Sequence, residues 1–214
     1  QLLRIASFRI TLLAGALFRL AVGAIPFLLP LMLQLGFGMS AFASGSLTFA
    51  AAVGAVTMKL TASPILRRFG FRRVLGVNAV ISSLLLAACA LFTAQTPHAL
   101  IIGVLLAGGF FRSLQFTSLN TLGYADIEPA QLSQATSFVA VVQQLSLAGG
   151  VAVAAMLLDA SRAADARSLL LAADFSRAFV AISVISLGSV LMFRRLAPDA
   201  GAEVSGHGVR AASD

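Results

Sequence analysis

Three long stretches of this chain carry no Asp, Glu, Lys or Arg: 39 residues over 20–58, 38 over 74–111 and 30 over 129–158. A helix crosses a bilayer in about 20 mostly apolar residues. Each of the first two stretches therefore holds most of a pair of spans with an uncharged turn between them. A soluble domain would have to solvate such stretches, and it would do so with charge. Only 11% of the 214 residues are charged and 59% are hydrophobic, against about 25% charged in an ordinary soluble domain. Inside a bilayer the backbone has no water to bond, which leaves helices or a closed barrel. The apolar runs are continuous rather than alternating, so the fold class is all-α integral membrane.

Six spans are predicted, at about 10–33, 41–62, 74–93, 99–122, 133–158 and 175–193. This divides the chain into a cytoplasmic lead-in (1–9), a six-helix transmembrane bundle (10–196) and a Gly-, Ala- and Ser-rich tail (197–214) of disordered composition. Gly36, Gly38 and Ser40, then Pro97, then Pro129 mark turns between spans. With the N-terminus inside, one face of the membrane collects Arg4, Arg9, Lys59, Arg67, Arg68, Arg72, Arg73, Arg194, Arg195 and Arg210. The other collects only Arg162, Arg167 and Arg177. Basic residues concentrate on the cytoplasmic side, so both termini are expected inside a cell (inner or plasma) membrane. Asp126 and Glu128 share that side, but acids weigh little in the rule. The net charge of +7 then has a cause that needs no nucleic acid. Ala41-Phe-Ala43 has the spacing of a signal cleavage site, but the apolar run before it is of spanning length. The chain starts with Gln1 and is expected to be a piece of something longer.

Two charges fall deep inside predicted spans, well away from their ends. Arg19 lies about ten residues into the first span, near the bilayer midplane, and Arg112 about fourteen into the fourth. Such a charge costs about 2.5–3.5 kcal/mol or more, so it usually faces a bundle interior or a water-filled cavity. Either arginine could instead anchor packing by bonding helix carbonyls. At about 100° per residue, Gln115 falls to one side of Arg112 and Asn120 to the other, a broken polar face. Gln143 and Gln144 lie on the fifth span, as interhelical bonds or cavity lining. Phe110, Phe111 and Phe116 flank Arg112 and could line a greasy pocket. Pro26 and Pro30, four apart, predict a kink in the first span. Arg67, Arg68, Gly70, Arg72 and Arg73 form a tight basic turn between spans two and three, suited to lipid phosphates or to acids on a neighbouring helix end. No acid is placed within any predicted span, and His98 and His207 lie at a span edge and in the tail. No His cluster, acid pair or nucleophile–base set is present, so no enzyme activity, metal or cofactor is expected.

Six spans with both ends inside and an Arg-Phe-Gly-Phe-Arg-Arg turn after the second resemble the C-terminal half of a major facilitator superfamily transporter. The fourteen-span multidrug-efflux branch of drug–proton antiporters is the more specific likeness. It covers about residues 4–195 and rests on three groups of residues: Phe18-Arg19 with Ala24-Ile-Pro-Phe-Leu-Leu-Pro30; Gly108-Gly-Phe-Phe-Arg-Ser-Leu-Gln115; and Gln143-Gln-Leu-Ser with Gly149-Gly150. In the basic loop Arg68, Gly70 and Arg72 match the family pattern. Arg67 stands where its Asp would be, Ser63 where its first Gly would be, and Phe71 replaces an Arg, like the degenerate copy of second halves. The resemblance implies two inverted three-helix repeats, a substrate site between two six-helix halves, and alternating access by rocking. It also implies a partner N-terminal half carrying the coupling acids, a small organic substrate and protons. Arg19, Arg112, Gln115, Asn120, Gln143 and Gln144 would line the cavity. Two alternatives stay open: an organic-anion transporter half, since the midplane charges are positive, and a complete six-span subunit with no transport role.

Overall fold

In the computed structural model, residues 2–165, 169–197 and 200–205 are described; Arg167, His207 and Arg210 lie outside them. The first helix, α1 (Ala6–Leu31), runs on without a break into a π-helical turn (Met32–Gly36). There follow α2 (Ala41–Lys59), the short α3 (Ala62–Phe69), α4 (Phe71–Cys89), α5 (His98–Ala125), α6 (Leu132–Ala164), α7 (Ala172–Phe193) and a single turn, α8 (Ala202–Ser205). Six of these helices are long and apolar enough to cross a membrane, and the described residues contain no strand. The chain is an all-helical membrane protein.

Helix ends depart from the apolar stretches where side chains can hold them. α6 extends past the expected end at 158 to Ala164, and at about 1.5 Å per residue its 33 residues exceed a hydrocarbon core of about 30 Å. Asp159 and Arg162 pair on its last turns at 2.5 Å. α7 begins at Ala172, three residues early, because Asp174 accepts the Leu171 N–H at 2.8 Å and closes the first turn. The expectation that no acid lies within a spanning helix is therefore corrected: Asp159 and Asp174 ride on the ends of α6 and α7. A carboxylate that accepts an N-terminal N–H lengthens a helix beyond its greasy part.

The packing has an internal symmetry. α1 packs mainly along α6 and α7, α5 mainly along α2 and α4, while α4 meets α7 and α1 meets α5. Exchanging α1 with α5, α2 with α6 and α4 with α7 maps these main pairs onto themselves. α1 enters the bundle from the end that carries Leu2, and α5 enters from the opposite end, so the two three-helix repeats are inverted. Equivalent crossings are made at glycine. A Cβ at Gly54 of α2 would collide with the Leu106 carbonyl of α5, and one at Gly109 of α5 with the Ala51 carbonyl of α2. In the other repeat pair, Gly23 of α1 meets the Leu147 backbone of α6, and Gly150 of α6 meets the Leu20 carbonyl. Small residues let helix backbones touch where lipid supplies no hydrophobic drive.

At the terminal end α3 buries Ala62 and Leu66 and leaves Arg67 and Arg68 exposed. Gly70 then turns the chain into α4 at φ 71° and ψ 161°, a conformation that side chains disfavour. Beyond α7 the chain folds back, with Leu196 buried and Gly201 against Phe71 and Leu122. The described part of the segment expected to be a disordered tail is thus packed on this end of the bundle.

Candidate functional site

Arg19 is 2% exposed, the largest side chain so deeply buried. Its Nη2 donates to Asn120 Oδ1 at 3.1 Å, and its guanidinium carbon stands 5.7 Å from the centre of the Phe116 ring. Its Nε has no partner, and no carboxylate among the described residues pairs with it. Gly15 makes the room, since a Cβ there would come within 2.8 Å of Nη1. Asn120 itself is exposed, so the buried cation connects through one amide to the outside of the bundle.

Gln143 is half-buried and Gln144 exposed on α6. Both stand about one turn before Leu147, whose backbone meets Gly23, and Arg19 stands one turn before Gly23. α1 and α6 both start from the terminal end, so the glutamines and Arg19 lie at similar depth. α2 and α6 pack on different partners and not along one another.

Arg112 is elsewhere. It lines a pocket of about 40 Å³ between α1, α4, α5 and α7, with Phe18, Val22, Cys89, Ser82 and Ser186. That space admits a few waters, far below the 300 Å³ or so of a small-molecule site. Arg112 is half-buried and makes no hydrogen bond or ion pair among the described residues. Gln115, its sequence neighbour, is fully buried and binds helix to helix: it accepts from Asn78 Nδ2 at 2.6 Å and donates to the Leu75 carbonyl at 3.2 Å. The structure thus gathers Arg19, Asn120 and Phe116, sets Gln143 and Gln144 level with them, and turns Arg112 to a small pocket and Gln115 to the α4 contact.

A comparison with known families matches residues 11–212 to the Major Facilitator Superfamily. The chain belongs to the major facilitator superfamily. "Probable transport protein HsrA" of Haemophilus influenzae is 32% identical over 196 residues, covering 92% of this chain and 42% of that protein. "Putative multidrug resistance protein MdtD" of Pectobacterium atrosepticum is 32% identical over 195 residues, 90% of this chain and 42% of its own length. The protein of the same name in Salmonella newport is 35% identical over 161 residues, 74% and 34%. The chain spans about two fifths of the length of the curated relatives it matches.

Pro26 and Pro30 lie inside α1, where each lacks an N–H to bond back one turn, and the π-helical turn follows at Met32–Gly36. In the basic turn, Arg72 donates to the Arg194 carbonyl at 3.2 Å and so closes the α7 terminus, while Arg68 and Arg73 flank the Phe69 ring at 5.5 and 5.8 Å. Phe110 and Phe111 pack edge to face on one another at 5.4 Å, and Phe116 serves Arg19 rather than Arg112.

Sequence reasoning missed Asn78, whose Nδ2 also donates to the Phe111 carbonyl at 2.8 Å. As the one amide of the uncharged third span (74–93) it carried a signal. It missed Asp174 too. That carboxylate is fully buried and accepts from Ser161 Oγ of α6 at 2.6 Å, and Arg177 approaches it at 3.6 Å while bonding Asp165 at 2.9 Å. This cluster ties α6 to α7 at the end away from the termini.

Proposed function

We propose that this chain supplies the C-terminal six-helix half of a secondary efflux transporter for amphiphilic organic compounds, working by alternating access and exchanging its substrate for protons. Both termini are cytoplasmic in this reading. The observation that carries it is Arg19: a buried guanidinium with one amide, one ring and no carboxylate among the described residues, with exposed amides at similar depth on α5 and α6. Uncovered amides facing lipid would be costly. Facing an N-terminal half across an aqueous cavity, they bind substrate, and Arg19, bonded to exposed Asn120, sets a positive potential at the cavity wall. Relatives named for multidrug resistance and for transport support the substrate class.

The test is dye efflux from cells expressing the full-length protein, with ethidium as the cation and a carboxyfluorescein as the anion. Ethidium efflux is expected, stopping when the pH gradient is collapsed and falling at least about tenfold in Arg19→Ala, the loss of one charge-assisted contact. Efflux of the anion alone would favour the second reading, an organic-anion transporter, which the positive charges of Arg19 and Arg112 deep within the spans recommend. Efflux indifferent to the pH gradient would remove proton exchange.

A further inference from the structure

We propose that the groove between α4 and α7 at the terminal end is a binding site for one anionic phospholipid, its headgroup held by Arg72, Arg73 and Arg194 and an acyl chain laid along the helices below. The groove measures about 450 Å³. Its mouth is basic and its floor is apolar, with Gly76, Val77 and Val190 leading away from the arginines along the two spans. That order, cation at the helix ends and grease toward the bilayer centre, is the order of groups in a phospholipid.

Charge complementarity points to an anion. The residues lining the groove include three arginines and no acid. Arg72 and Arg73 sit in the first turn of α4, which has no acidic residue and no side-chain cap. A helix N-terminus carries partial positive charge and unpaired N–H groups, so two cations there oppose it. A phosphate between them removes the repulsion and accepts from those groups. Arg72 is already fixed by its bond to the Arg194 carbonyl, which joins the two helices across the mouth and leaves its other guanidinium hydrogens to donate. Gly76 keeps the floor open: a Cβ there would meet nothing within 4 Å. A phospholipid fits both parts, whereas free phosphate would use the mouth alone.

The experiment reads lipid retention rather than transport, so it stands apart from the efflux reading. Full-length protein in detergent is titrated with phosphatidylglycerol, phosphatidylcholine or inorganic phosphate, and bound lipid is counted by native mass spectrometry beside the thermal midpoint. Phosphatidylglycerol is expected to be retained and to raise the midpoint, and the other two are not. The double variant Arg72→Gln/Arg73→Gln is expected to bind at least about tenfold more weakly, given about 1 kcal/mol per basic residue at an anionic surface. Gly76→Phe, which fills open space and keeps every charge, should also lose the lipid. Arg195→Gln, basic and at the same end but outside the groove, should not. Equal retention by the double variant or by Gly76→Phe overturns the site. So does an equal loss in Arg195→Gln, which would mean diffuse attraction, and so does stabilisation by inorganic phosphate alone.

Discussion

A guanidinium sealed to 2% exposure with one amide and one ring for company carries a charge that no carboxylate among the described residues neutralises. Replacing Asn120 by Asp tests what that charge is for. The Oδ that accepts from Arg19 would become a carboxylate oxygen, and a charge-assisted bond with one ionised partner would become an ion pair that neutralises the buried guanidinium. Asn120→Asp is therefore expected to raise the thermal midpoint of the purified protein while lowering transport, because Arg19 would be occupied. Higher midpoint with full transport would make Arg19 a packing residue only. Arg19 was legible in the sequence as a charge in an apolar run, and so was the need for it to face inward. Gln115 and Arg112 were not separable there. Three residues on a helix differ by about 60° in direction, too little to tell a helix contact from a pocket wall before neighbours are placed. Asn78 decides that Gln115 belongs to the contact.

Between elements, the glycine crossings divide neighbouring positions sharply. Gly109 has the Ala51 backbone against it, whereas Gly108 has nothing within 4 Å of a Cβ. Gly109→Val is expected to destabilise by about 1–3 kcal/mol through overpacking at the α2–α5 crossing, and Gly108→Val to stay close to wild type. Thermal melting of the two variants in detergent checks this; equal midpoints would mean that α2 and α5 are not held by backbone contact. The same contrast holds for Gly150 and Gly149. Composition shows that Gly108-Gly109 and Gly149-Gly150 are small pairs, but not which member faces a partner. Span existence was plain from charge gaps because hydropathy alone drives it. Span ends were less so: the end of α6 rests on Asp159 with Arg162 and the start of α7 on Asp174, local bonds that hydropathy does not record. The short α3 likewise hides inside a motif that reads as a turn, since eight residues with two buried apolar positions leave little periodicity to detect.

For the whole molecule, the inverted repeats fix which loops share an end even though they leave open which side of the membrane that end faces. Ser7 Oγ donates to Asp126 at 2.5 Å, and Arg72 bonds the Arg194 carbonyl, so the start of α1, the loop after α5, the basic turn and the end of α7 form one end. Gly36 lies against Ala172 at the other. The basic excess sits on the first end, and the positive-inside rule predicts that end on the cytoplasmic side. Cys89 is the single cysteine and is buried, so Cys89→Ala provides a background in which one introduced thiol reports its side. Gln95→Cys, exposed between α4 and α5, is expected to react in intact cells with a membrane-impermeant maleimide. Glu128→Cys, exposed between α5 and α6, is expected to react only after the membrane is opened. The Glu128 loop is the stringent choice because it carries acids alone, so its own charge does not put it on the side the rule predicts. Labelling of Glu128→Cys in intact cells, with Gln95→Cys silent, would invert the whole bundle and move the arginine-lined groove to the outer leaflet.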